Sequence, residues 1–239
     1  MARVVGFRII TMAKARKTDS LLFLHKRLSA HYGPLGWWPG ETPFEVMVGA
    51  VLTQNTAWTN VEKAIANLKA ERALSLEAID QMPHGKLARL LRPSGYFRVK
   101  ARRLKNLVRA VREKFGSLPR MFKTPTNELR AWLLSVNGVG KETADSILCY
   151  AAEHPVFVVD AYTRRIYSRH GFLPPEADYD ELQEFSLERL PRDLATYNEF
   201  HAQIVNVGKD FCRTKPKCEG CPLKPFLTPA QRRKLSTAQ

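Results

Sequence analysis

Asp160 is the residue best placed to do chemistry. It closes a short apolar run, Val156-Phe157-Val158-Val159, and stands directly before a helical pattern. Aspartate there is a favoured N-cap, accepting backbone N–H groups of the first turn. A carboxylate beside apolar neighbours can also stay ionised and activate a water or stabilise a developing cation. The two roles are compatible.

Three cysteines form a second group. Cys212, Cys218 and Cys221 are spaced C-x5-C-x2-C and followed by Pro222. Thiols this close, in a chain expected to be cytosolic, read as metal ligands rather than a disulfide framework. Cys149 falls on a helical packing face and reads as a small buried hydrophobe.

The third group is a turn, Asn137-Gly138-Val139-Gly140. Leu129, Trp132 and Leu133 share a face before it, and Ala144, Ile147, Leu148 and Ala151 follow at helical spacing. Thr124 is the expected cap of the first helix, with Pro125 at its first position. Both glycines are free to take positive φ. Backbone N–H groups at the start of the second helix, with the positive end of its dipole, suit a phosphate. Such a turn by itself is more often only a connection.

The elements that must hold these groups read as helices throughout. Residues 18–32 are amphipathic, with Leu21, Leu22, Leu24 and Leu28 apolar. A Gly/Pro-rich loop then carries Trp37 and Trp38. The helix from Pro43 is apolar almost all round and belongs in the centre of the fold. Gln54-Asn55-Thr56 interrupts it, and Thr56 or Thr59 is the expected cap of a helix over 57–70. Further helices start at Ser75 and span 84–91, and a turn follows at 92–95. Over residues 96–115, Leu104, Leu107, Val108 and Val111 face inward. Arg98, Lys100, Arg102, Arg103, Lys105 and Arg109 face outward, as a solvated surface or as phosphate contacts. Helices over 161–170, 179–190 and 195–212 complete the set. No alternating strand pattern survives, so the fold class is all-α.

The chain has 239 residues, with Lys+Arg 38 against Asp+Glu 23 and a net charge of +15. A compact protein so charged meets a polyanion, nucleic acid first and an anionic membrane surface second. No apolar run approaches the length of a membrane span. The first residues mix basic and apolar side chains without a signal-peptide core, and Met12 offers a second start.

Taken together, these parts resemble the helix-hairpin-helix DNA glycosylase superfamily. FEVMVGAVLTQNT, RPSGYFRVKARRL, GVGKETA, the V-V-D before a helix and the C-terminal cysteines each match a family segment, over about residues 20 to 223. TQNT with Trp58, the loop GWWP and NGVGKETADSILCY resemble the endonuclease III-related branch that contains a 3-methyladenine DNA glycosylase. The resemblance implies two lobes, a helical barrel over 44–153 and a second lobe from 18–43 with 154–223, flanked by a disordered basic leader (1–17) and a loose basic tail (224–239). It implies that Asp160 assists N-glycosidic cleavage and that Gln54 contacts double-stranded DNA where a base has been flipped out. Gly138, Val139 and Gly140, with Lys141 beside them, would grip a phosphate.

Two departures from the family follow. Bifunctional members read G-V-G-R-K-T-A, and their lysine forms a Schiff base with the sugar. Glu142 stands in that place, and Lys141 is rotated about 100° round the helix. A carboxylate cannot be the amine nucleophile, so a monofunctional enzyme is expected. The endonuclease III cysteine pattern is C-x6-C-x2-C-x5-C. Here the first gap is shorter by one, and Leu227 stands where the fourth cysteine would be. The resemblance therefore implies a 4Fe-4S cluster on Cys212, Cys218 and Cys221 with a non-cysteine fourth ligand first, zinc completed by His or Asp second, and free thiols without metal third. Trp38 and Trp58 are expected to stack on the extruded base, with a cation–π gain for alkylated, cationic purines. The expected setting is a monomer in the cytoplasm, on the nucleoid. A bifunctional enzyme acting on oxidised pyrimidines and a non-catalytic DNA-binding module are the rival readings.

Overall fold

The computed structural model describes residues 21–36 and 40–236, and these are helices and loops, with no strand among them. In order they are α1 (Leu21–Tyr32), α2 (Pro43–Leu52), α3 (Trp58–Ala70), α4 (Leu76–Gln81), α5 (His84–Leu90), a 3-10 turn (Arg92–Ser94) and α6 (Phe97–Phe115). Then come α7 (Leu118–Phe122), α8 (Thr126–Ser135) and α9 (Lys141–Ser146), which runs on into a π-helical turn (Ile147–Ala151). The chain ends in α10 (Ala161–Arg169), α11 (Tyr179–Arg189), α12 (Leu194–Asp210), a 3-10 turn (Lys224–Phe226) and α13 (Pro229–Ser236). The proposed leader and Trp38 lie outside the described residues.

Apolar side chains form two cores. One is built on α2, whose residues Phe44 to Leu52 are all buried, with Leu68 of α3, Leu104 and Val111 of α6, Leu133 of α8, and Ile147 and Leu148 of the π turn. The other joins Leu21, Leu24 and Leu28 of α1 to Ile166 and Tyr167 of α10, Phe200 and Ile204 of α12, and Leu223. Val156 belongs to the first and Phe157 to the second, so the extended link crosses between cores three residues before Asp160.

A buried polar cluster ties the two together. Asp145 of α9 is fully buried and accepts two hydrogen bonds from the Arg130 guanidinium of α8, at 2.7 and 3.0 Å. Gln183 of α11 donates to the same carboxylate at 2.9 Å and to Phe157 O at 2.7 Å. Nothing in the spacing of these residues announces the cluster. It forms because a buried carboxylate needs several donors to offset its desolvation.

Several local expectations change. The cap of α3 is Ala57, without a side-chain hydrogen bond, so neither Thr56 nor Thr59 caps it. Pro125 precedes α8 in extended backbone and takes the N-cap position expected of Thr124. Helix α7 was not anticipated; five residues carry too little periodicity to read. The described part of the tail after Leu223 holds a 3-10 turn and α13, and Leu227 is buried.

The outward basic face of α6 also needs correcting. Lys100 is 1% exposed and its ammonium donates to Leu52 O (2.9 Å) and Ser94 O (2.5 Å). Lys105 is 8% exposed and donates to Ile79 O, Asp80 O and Met82 O at 3.0, 2.7 and 2.6 Å. Each ammonium satisfies carbonyls that a helix end leaves without partners, α2 for Lys100 and α4 for Lys105. Arg109 and Arg112 both pair with Asp80. These four cations are structural or already paired.

Candidate functional site

Asp160 is the N-cap of α10 and forms a capping box with Thr163. Its Oδ1 accepts from Thr163 N at 2.7 Å and Thr163 Oγ1 at 2.9 Å. Its side chain is 12% exposed. Burial pushes the carboxyl up, but His201 and the two Thr163 donors outweigh it and hold Asp160 below the usual carboxylate range. The expected cap and the expected ionised carboxylate are therefore the same arrangement.

Three side chains from other elements face Asp160. Glu142 comes from the first turn of α9, on the first core. It is open to solvent on one side. Desolvation by the surrounding protein, then the negative charge of Asp160, push its carboxyl up to about 7, with His201 opposing. His201 comes from α12, buried, with Nε2 3.6 Å from Asp160 Oδ2. Tyr150 comes from the π turn, its hydroxyl 2.5 Å from His201 Nδ1. π turns recur at functional sites because the extra residue re-aims a side chain, and Tyr150 fits that pattern. Sequence reading missed His201 and Tyr150, which sit within apolar helical patterns and carry no spacing signal.

The hairpin is built differently from the expectation in one respect. Only Gly138 takes positive φ, at 100°, and the Arg103 side chain packs against the place a Cβ would occupy. Gly140 is extended, and a Cβ there would meet nothing within 4 Å, so the backbone is open to an approaching group. Val139 is buried and its N–H bonds to Val136 O at 3.0 Å, so it holds the turn and does not offer that donor outward. Gln54 lies against the same turn, donating to Gly138 O (3.2 Å) and Thr143 Oγ1 (2.9 Å) and accepting from Arg103 Nη1. Lys141 Nζ is 2.5 Å from Asp180 Oδ2 of α11. The structure thus brings Gln54, Arg103, Gly138 and Gly140 to one place, and directs Lys141 to a carboxylate.

Trp58 opens α3, packs against the first core and donates its indole N–H to Glu62 at 2.9 Å.

The cysteine loop is held by α10. Arg165 donates to Cys212 O (2.5 Å), and Arg169 to Cys212 Sγ (3.3 Å), Arg213 O (2.6 Å) and Thr214 O (2.8 Å). Cys212, Cys218, Cys221, His170 and Leu227 line one small cavity. Burial pushes the Cys221 thiol up to about 11 and raises Cys218. Leu227 is buried at the place of a fourth thiol, and among the described residues no three His, Cys, Asp or Glu side chains converge to hold a metal ion. Leu227 supplies no ligand, so a 4Fe-4S cluster here would be held by Cys212, Cys218 and Cys221, with its fourth position left to a group other than cysteine. Cys149 is buried in the π turn as expected, its thiol pushed up to about 12. No described helix is long and apolar enough to cross a membrane.

Comparison with known proteins gives a consistent result. The model of the HhH-GPD superfamily of base excision DNA repair proteins matches residues 48–192. A Methanocaldococcus jannaschii protein, named provisionally as a DNA repair glycosylase, is 49% identical over 215 residues, 89% of this chain and 98% of the relative. Endonuclease III of Thermotoga maritima is 31% identical over 183 residues, 76% of this chain and 81% of that enzyme. Among solved structures, the 3-methyladenine DNA glycosylase of H. pylori bound to 1,N6-ethenoadenine is 33% identical with a TM-score of 0.71, covering 80% of this chain and 97% of that one. An endonuclease III–DNA complex has a TM-score of 0.78 at 21% identity, with 92% and 99% covered, and shares the fold.

Proposed function

The chain belongs to the HhH-GPD superfamily of base excision DNA repair proteins, and we propose that it is a monofunctional DNA glycosylase that hydrolyses the N-glycosidic bond of an alkylated purine turned out of the duplex. One observation carries this reading. The site pairs an ionised carboxylate, Asp160, with a second carboxyl, Glu142, where a strand-cutting enzyme of the family would need an amine.

The chemistry follows from that pair. An alkylated purine is cationic, so its bond to C1′ breaks with the electron pair leaving on the base. Asp160 stabilises the cation developing on the sugar. A water then attacks C1′, and its proton passes to Glu142 acting as general base. The nearby lysines do not supply a nucleophile in this reading. The amine of Lys141 is bonded to Asp180, and that of Lys100, though lowered to about 8 by burial and by Arg103, lies under two backbone carbonyls. Gln54, Arg103, Gly138 and Gly140 form the DNA side, and Trp58 with Trp38 the stacking faces for the base. The likeness to the H. pylori enzyme supports a purine substrate. The reaction uses no step through a metal, and one copy of the chain contains every group it needs.

An excision assay on duplexes carrying alkylated, oxidised and deaminated bases tests the proposal. Wild type should release alkylated purine and leave an intact abasic strand, with no adduct trapped by borohydride. Asp160→Asn should slow release by about a hundredfold or more. Trapped adduct would instead establish a bifunctional enzyme, and release of no base would leave a DNA-binding module.

A further inference from the structure

The catalytic carboxylate has two oxygens with different surroundings. Oδ1 is committed to the cap, accepting both Thr163 donors. Oδ2 is therefore the oxygen left to face a sugar. His201 Nε2 lies 3.6 Å from it. That nitrogen is buried and has no hydrogen-bond partner, whereas Nδ1 is engaged by Tyr150 at 2.5 Å. Buried ring nitrogens are almost always satisfied, so one left open beside a catalytic oxygen points to a role there.

The ring's proton can be placed from electrostatics. A lone pair on Nε2 would face the negative Oδ2 and be repelled, so Nε2 carries the proton. Nδ1 then accepts from the Tyr150 hydroxyl. Tyr150 can only be a donor of that kind if it stays protonated. Burial first, then Cys149, Asp160 and Glu142, hold its phenol well above the ordinary value. The ring itself is fixed from two further sides, by Phe157 of the link edge-on and by Tyr150.

We propose that His201, with its tautomer set by Tyr150, is the positioning residue of Asp160, its Nε2–H directing Oδ2 at the reacting sugar. This rests on the glycosylase reading of the site. The 3.6 Å gap is slightly longer than a hydrogen bond, and a small approach of α12 to the α10 N-terminus closes it. In that geometry the imidazole gives Oδ2 the stabilisation that Thr163 gives Oδ1, without occupying the side that meets substrate. The titratable groups facing Asp160 are Glu142 on α9, Tyr150 on the π turn, Tyr167 on its own helix and His201 on α12. Of these only His201 favours the charged carboxylate.

Two polar substitutions separate this role from packing. His201→Gln puts an amide N–H near the position of Nε2, and His201→Asn puts its amide oxygen near Nδ1, so the first keeps the contact with Asp160 and the second keeps only that with Tyr150. Single-turnover excision should stay within about tenfold of wild type in His201→Gln and fall about a hundredfold in His201→Asn, in the range of a lost electrostatic contact at a reacting centre. Affinity for a duplex carrying a tetrahydrofuran abasic analogue should be the same in both. In an Asp160→Asn background the two substitutions should become equivalent. Equal rates for Gln and Asn variants, or the same difference without Asp160, would overturn the proposal. A carbon-13 titration of the Asp160 carboxyl provides a second readout that needs no turnover. It should titrate about one pH unit higher in His201→Asn than in wild type, and an unchanged midpoint would also overturn the proposal. If wild type released no base from any lesion, the glycosylase reading would fail while the titration still decided the role of His201.

Discussion

Two carboxyls, Glu142 from the first turn of α9 and Asp160 at the N-cap of α10, feel each other's charge, and their environments separate them. Asp160 accepts two hydrogen bonds from Thr163, has the His201 ring at 3.6 Å, and is held below the usual carboxylate range; Glu142 is desolvated, feels the charge of Asp160, and is pushed up to about 7. Pairs divided in this way take different tasks in one reaction. A general base works only when ionised, so the single-turnover rate should climb as pH rises through about 7, with Glu142 losing its proton. Glu142→Gln should abolish that step and lower the plateau by about a hundredfold. The measurement is excision rate against pH for both proteins, on a duplex whose lesion is already cationic. A rate that falls through the same range would mean that Glu142 donates a proton to the leaving base. The sequence placed Asp160 through a local pattern, an apolar link ending at a helix start. It could not announce His201, because the contact joins residues 41 positions apart through tertiary packing.

At the scale of elements, α6 shows why charge along a helix is a poor guide to what the helix touches. Its six outward basic residues look alike in sequence, yet Lys100 and Lys105 turn inward to helix ends while Arg103 reaches the Gln54 turn. Long aliphatic stems allow this, since they bury along apolar surface and deliver an ammonium to carbonyls beyond it. Lys105→Met should remove the donor shared by Ile79 O, Asp80 O and Met82 O and cost about 2 kcal/mol of stability, the scale of hydrogen bonds from a charged group. Its affinity for DNA at fixed salt should not change. Denaturant unfolding and a binding titration on the same variant read the two effects separately, and loss of affinity without loss of stability would return Lys105 to the DNA face. The helices themselves were legible wherever apolar periodicity was long, as in α2 and α6. Caps were less so, because Thr56, Thr59 and Thr124 each offered a hydroxyl that the backbone did not use.

Across the whole molecule, the proposed reaction requires the two cores to hold Glu142 and Asp160 in register. Glu142 rides on the first core and Asp160 on the second, and the chain crosses between them twice, once between α1 and α2 and once through the short extended link. Apolar packing within each core does not fix their relation. The buried cluster does, because Asp145 next to the π turn is bonded to Arg130 of α8 and to Gln183 of α11, and Gln183 also holds Phe157 O in the link. Tyr179 of α11 adds a contact one residue before Asp160, its hydroxyl accepting from Val159 N at 3.3 Å. Removing one partner of such a buried pair leaves the other charge uncompensated, so Asp145→Ala should cost about 3–5 kcal/mol. A shape-preserving change is more telling. Gln183→Met keeps the volume, leaves Arg130 with Asp145, and frees the link at Phe157. It should lower stability by about 1–3 kcal/mol, for Phe157 O and one Asp145 oxygen each lose a donor. Because the link carries Asp160, excision should fall more than that loss of folded protein explains, while affinity for an abasic duplex, set at the Gln54 and hairpin face, should hold. Excision and binding measured well below the unfolding midpoint decide it: a fall in both together would show that the cluster supports the fold as a whole rather than the alignment of the two carboxyls.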